Sequence, residues 1–182
     1  MDPSEYIELM LGFDLRVGGD LGLNCCVGKR KYLGCDRTCW HSPVRDQDLR
    51  PEDRVNRFLL PSISRVKDLA AIYENCICIA VSIILPIAQR NNLESQFEYL
   101  YPGDAVPSSV SENWQSIGYD VADQYLFSAL CSIGALINSP VLHLLNEKGL
   151  FPDIHMALEG VVEADSRVSP HSPFLCVAIY EV

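Results

Sequence analysis

The apolar positions of this 182-residue chain recur mainly at helical spacing. Ser4 to Leu11 reads as a short helix capped by Ser4, with Tyr6, Ile7, Met10 and Leu11 on one side and Gly12 as its stop. Arg50-Pro51-Glu52-Asp53 opens a second helical segment that runs to Pro61, and Ser62 or Ser64 caps the next. That helix carries Val66, Leu69, Ala70, Ile72 and Tyr73 into the apolar run Cys76–Ala88, whose β-branched content makes a buried strand the alternative. Asn92–Tyr101, Asp120–Ile133, Pro140–Lys148 and Pro152–Ala164 follow as helices. In Asp120–Ile133 the inward positions are Ala122, Tyr125, Leu126, Ala129, Leu130 and Ile133. Strand character is confined to Leu21–Leu33 and Phe174–Tyr180. The fold class expected is therefore mainly α, or α+β with helices in the majority: one domain, residues 1–182, of short helices and a few strands. No internal repeat stands out.

Composition leaves this picture globular, with 48% apolar and 21% charged residues. The N-terminus lacks the basic start and apolar run of a secretory signal, and the longest apolar run is too short to span a bilayer. A cytosolic protein is the expectation, with reduced thiols among its eight cysteines.

Charge adds the strongest functional hint. From Asp68 to Val182 there are fourteen acidic side chains and three basic ones, whereas Cys25–Lys67 holds ten basic and five acidic. The formal net charge is −10. Such a balance opposes binding to phosphate backbones or anionic membranes and favours a basic protein partner. Solubility alone also accounts for an acidic surface.

On the expected Asp120–Ile133 helix, Asp120, Asp123, Gln124 and Phe127 fall on a second face, a combination of carboxylates and an aromatic anchor suited to partner binding. The competing reading makes Asp120 a cap, Asp123 a dipole partner and Phe127 a packing residue. Glu159 and Glu163, like Glu94 and Glu98, are i,i+4 acidic pairs that contribute nothing to local helix stability, which again points outward to a partner. No general acid–base pair, phosphate loop or nucleophile motif is evident, so neither enzymatic activity nor a cofactor is expected. Cys25, Cys26, Cys35, Cys39 and His41 contain enough ligands for a structural zinc, although adjacent Cys25 and Cys26 converge poorly on one ion. A zinc-stabilised interaction module is thus the alternative, and a small thiol-dependent enzyme a further one, since Lys29, Arg30, Lys31 and Arg37 flank these thiols.

The stretch Trp114-Gln115-Ser116-Ile117-Gly118-Tyr119-Asp120-Val121-Ala122-Asp123-Gln124-Tyr125-Leu126-Phe127-Ser128-Ala129-Leu130 is similar to a Gly-Tyr-Asp-Val-Ala-Asp segment of small bacterial immunity proteins from contact-dependent and related polymorphic toxin systems. The resemblance implies a cytosolic protein that binds one toxin domain and blocks it by steric occlusion. Such toxins are often nucleases with basic substrate surfaces, which an acidic inhibitor complements. Asp120, Asp123 and Phe127 are then the expected contacts, with Glu159 and Glu163 beside them.

Overall fold

The computed structural model describes residues 5–17, 44, 46–50, 53, 59–74, 76–88, 110–124, 126, 128–130, 134–136 and 138–182. They form an α+β fold, which overturns the expected mainly helical class. Its elements are β1 (Tyr6–Val17), α1 (Ile63–Ala70), β2 (Cys76–Pro86), β3 (Gln115–Ala122), α2 (Ile154–Arg167) and β4 (Leu175–Glu181). The strands make one sheet in the order β1-β2-β4-β3, and every neighbouring pair is antiparallel.

Two expected helices are strands for identifiable reasons. In β1 the apolar residues fit helical spacing, but they also serve the two faces of a strand. The β-branched run of β2 supplies an eleven-residue partner with a matching ladder, and that long-range pairing outweighs local propensity. Within the expected Asp120–Ile133 helix, β3 continues to Ala122 and the chain then turns back on it. Ala129 N–H donates to Val121 O at 2.7 Å, and Leu126 sits at φ +60°, outside the right-handed helical region. The helical spacing arises because the turn sends Ala122 and Leu126 into one core cluster and Ala129 and Leu130 into another. Pro140–Lys148 shortens to a 3-10 turn over Pro140–Leu144. The readings at Leu21–Leu33 and Asn92–Tyr101 lie outside the described residues, as does most of the segment opened by Arg50.

α2, β4 and the Ser62 cap match their expected positions. Ser62 Oγ accepts Arg65 N–H at 3.3 Å, and Asp153 Oδ1 accepts His155 N–H at 2.7 Å at the start of α2. The Cys76–Ala88 run adopts its strand alternative.

The odd-numbered residues of β2 and β4, from Ile79 to Leu85 and from Leu175 to Ile179, line one sheet face together with Leu11 and Ile117. The even-numbered ones face the helices. α1 packs Val66 and Leu69 on Phe13, Leu15 and Ala80, while α2 packs Ala157, Leu158 and Ala164 near Val121, Cys176 and Ala178. Burying each large aliphatic side chain contributes about 1.5–3 kcal/mol. Arg65 of α1 is itself buried. Its Nε lies 2.7 Å from Asp53 Oδ2, and its Nη2 donates to Asp48 O at 2.6 Å.

The sheet is an internal duplication, contrary to the expectation of no repeat. β1 is bulged between Met10 and Gly12, and β3 between Ser116 and Gly118. After each bulge the sequence reads Gly-aromatic-Asp-aliphatic: Gly12-Phe13-Asp14-Leu15 and Gly118-Tyr119-Asp120-Val121. Asp14 Oδ1 accepts Leu15 N–H at 2.8 Å, and Asp120 Oδ1 accepts Val121 N–H at 2.8 Å. Phe13 bridges Leu60 at the outer edge of β1, as Tyr119 bridges Phe151 at the outer edge of β3. Each bridge leads through a proline (Pro61, Pro152) into the capping residue of a helix that begins with isoleucine. Gly12 pairs with Val81, and Gly118 with Ile179, while Val81 and Ile179 pair with each other at the centre of the sheet. A pseudo-two-fold axis normal to the sheet therefore passes between Val81 and Ile179.

Candidate functional site

The region of interest is the helix-covered face of the sheet, where α2 leaves an apolar hollow beside β1 and β2. Tyr6, Ile84, Pro86, Leu158, Val162 and Phe174 line it with their neighbours, and its volume is about 210 Å³. Phe174 N–H donates to Asp165 Oδ1 at 2.9 Å, which ties the last turns of α2 to the residue before β4 at the rim of the hollow. Val162 projects outward with 67% of its surface exposed and also lines the rim of the hollow, so the two together form one apolar area. Glu159 is exposed one turn before Val162. The outer strip of α2 is therefore an apolar spot with an acidic border.

Ile84, in the wall of this hollow, is the register partner of Glu8. Glu8, on the edge strand β1, is exposed on the same sheet face and reaches inward over it. Its Oε1 accepts the Tyr180 hydroxyl at 2.6 Å and is also hydrogen-bonded by the Ser82 hydroxyl. Three strands supply these groups. Burial, and then the carboxylate of Glu8, push the Tyr180 hydroxyl well above its ordinary pKa, so it remains a proton donor. Tyr119 moves in the same direction, through burial and the nearby Cys176 and Glu8. Trp114 packs against Tyr180 with ring centroids 6.4 Å apart, and Phe13 meets Trp114 edge-on at 5.6 Å.

The expected contact residues separate. Asp120 lies in β3 at 1% exposure, where Oδ1 also accepts the Ser128 hydroxyl at 3.0 Å. Asp123 is fully buried, with Oδ2 3.1 Å from His171 Nδ1. Both carboxylates work inside the fold, and the solvent-facing helix surface that was to carry them is absent from these positions. Phe127 lies outside the described residues. Glu159 and Glu163 do sit on one helix. Glu163, however, is half-buried and takes Arg167 Nη2 at 2.6 Å and the Ser139 hydroxyl at 3.2 Å, so Glu159 is the freer charge.

Cys25, Cys26, Cys35, Cys39 and His41 lie outside the described residues. Cys76, Cys78 and Cys176 are free thiols, and burial raises the pKa of each, which suppresses the thiolate. Among the described residues no helix is long and apolar enough to cross a membrane. Sequence reasoning missed Glu8, Ser82 and Tyr180 altogether. Each sits in an apolar stretch as an isolated polar residue, and alternation within a strand is the signal that marks them.

Compared with protein-family models, curated proteins and solved structures, the chain matches none.

Proposed function

We propose that the chain is a non-enzymatic binding protein that neutralises a basic protein domain. Given the resemblance in its 114–130 segment, that domain is the toxin of a bacterial polymorphic toxin pair. The observation that carries this reading is Val162, exposed beside a 210 Å³ apolar hollow and bordered by Glu159. An apolar anchor point inside a charged border is the layout of a protein interface, with burial setting residence time and opposite charge setting encounter rate. The net charge of −10 complements a basic surface.

The test is capture of partners by the tagged protein with salt-stepped elution, followed by calorimetric titration of the captured protein. One basic protein recovered in equal amount is expected. Val162→Asp is expected to weaken it at least about tenfold, as loss of a buried anchor does, and Glu159→Lys to slow association and flatten its salt dependence. Retention of no basic protein, or equal affinity of both variants and the native chain, refutes the proposal.

A further inference from the structure

The two halves of the duplication agree in their framework and differ at the axis. On the helix-covered face, the first half places Ser82 beside the axis and Glu8 on the edge strand, opposite Ile84. The equivalent register positions of the second half hold Trp114, which precedes Gln115, and Tyr180. A pair of acid and hydroxyl thus faces a pair of aromatics across a pseudo-two-fold axis. Glycine, aspartate and proline positions remain matched elsewhere, so the divergence is concentrated at these four positions.

The geometry of the four residues identifies the ligand chemistry. Glu8 uses Oε1 for both hydroxyls, and its Oε2 takes no hydrogen bond from the described residues. No cation is paired with Glu8 among the described residues, and its side chain is exposed. The two hydroxyls orient the carboxylate without neutralising it. Tyr180 reaches Glu8 through its hydroxyl and Trp114 through its ring, tilted by 49°. A surface therefore runs from aromatic faces to an oriented carboxylate. Lys and Arg side chains match this order, with an apolar stem for the rings and a charged head for the acid.

We infer that the surface joining Glu8, Tyr180 and Trp114 is a binding site for an alkylguanidinium or alkylammonium group, held by Glu8 at its head and by Tyr180 and Trp114 along its stem. The group comes either from a small free cation or from a Lys or Arg side chain presented by a protein. The site stands on Glu8, Tyr180 and Trp114 and does not depend on the α2 surface, so failure of the partner capture leaves it open to test.

The test follows the indole N–H resonance of Trp114, assigned with Trp114→Phe, while butylguanidinium, a blocked arginine-containing peptide or uncharged butylurea is added. Saturable shifts with a cationic probe and none with butylurea are expected. Glu8→Gln keeps an acceptor for both hydroxyls and is expected to weaken binding about tenfold, the difference between a charged and a neutral hydrogen-bonding partner. Saturation by butylguanidinium identifies a free small cation as sufficient, and saturation by the peptide alone identifies a presented side chain. No shift with either cation, an equal response to butylurea, or undiminished binding in Glu8→Gln overturns the inference. The comparison of butylguanidinium with butylurea uses the native chain, so it reads even where the variant folds poorly.

Discussion

Replacing Gly12 or Gly118 by alanine tests the matched bulges on which both halves depend. The two residues lie at φ +154° and +144°, where L side chains rarely sit. A Cβ at position 12 would come within 2.9 Å of Leu59 Cβ and of Leu60 O. At position 118 it would come within 2.8 Å of Phe151 O and 2.9 Å of Leu150 Cβ. The obstacle in each case includes a backbone oxygen of the bridging residue, Leu60 or Phe151, which cannot rotate aside. Backbone strain of this kind costs about 1–3 kcal/mol. Relieving the overlap costs a further ~1–3 kcal/mol. Each variant is therefore expected to lose about 2–6 kcal/mol, a large part of the roughly 5–15 kcal/mol that holds a typical protein folded.

The assay is urea unfolding followed by circular dichroism. With slopes of about 1–3 kcal/mol per molar urea, the midpoint should fall by about 1 M or more in both variants. The useful contrast is Gly160→Ala. That residue is inside α2, so alanine gains helix propensity of up to about 1 kcal/mol, and the new methyl meets only side chains, Phe151 Cζ at 2.9 Å and Val121 Cγ2 at 3.1 Å. Its loss should be smaller. A change below about 0.5 kcal/mol in Gly12→Ala or Gly118→Ala, the level of an inconsequential surface substitution, refutes the account of the bulges. A large loss in one and none in the other refutes their equivalence.

Other outcomes follow from buried groups. Asp53→Ala should destabilise the protein by about 3–5 kcal/mol, because it leaves the Arg65 guanidinium buried without its carboxylate; calorimetry should then show partial recovery in the Asp53→Ala, Arg65→Met double variant. An Asp53→Ala loss below about 1 kcal/mol means the pair is solvated in solution. Stability should also fall on the alkaline side. Cys176 is pushed above the ordinary thiol value of 9.0 in the folded state, so its contribution is intact below that value and is lost as the unfolded chain ionises above it. The slope from this one group is about 1.4 kcal/mol per pH unit, read from unfolding midpoints between pH 8 and 11, and a Cys176→Ala variant with the same slope contradicts the assignment. Native-state alkylation should leave Cys176 unmodified until denaturant is added, as mass spectrometry of digests would show.

Much of the second half of the chain was legible in its residues. α2 has a cap, an apolar stripe and a charged outer strip within fourteen residues, and β4 is a short apolar run between turn residues, so local information suffices for both. The acidic balance also follows from sequence alone. The β character of residues 6–17 and 115–122 does not. A helical period and a strand period place the same apolar residues inward over short windows, and the winner depends on whether a partner strand exists elsewhere in the chain. β2 is that partner for β1, and β4 for β3.

The same distinction governs the site. Asp120 and Asp123 read as surface charges when assigned to a helix, but as residues of β3 and its returning turn they are enclosed and hydrogen-bonded. The duplication is hidden because its halves share only brief motifs, separated by spacers of unequal length and by helices of eight and fourteen residues. Sequence determined which residues are apolar, where two helices begin and how much negative charge the molecule carries, since these are local or additive properties. Only the tertiary structure decided that Glu8, Ser82 and Tyr180 meet. Hydrogen bonds between residues as far apart in the chain as Glu8 and Tyr180 are set by strand register, and register is a property of the whole sheet.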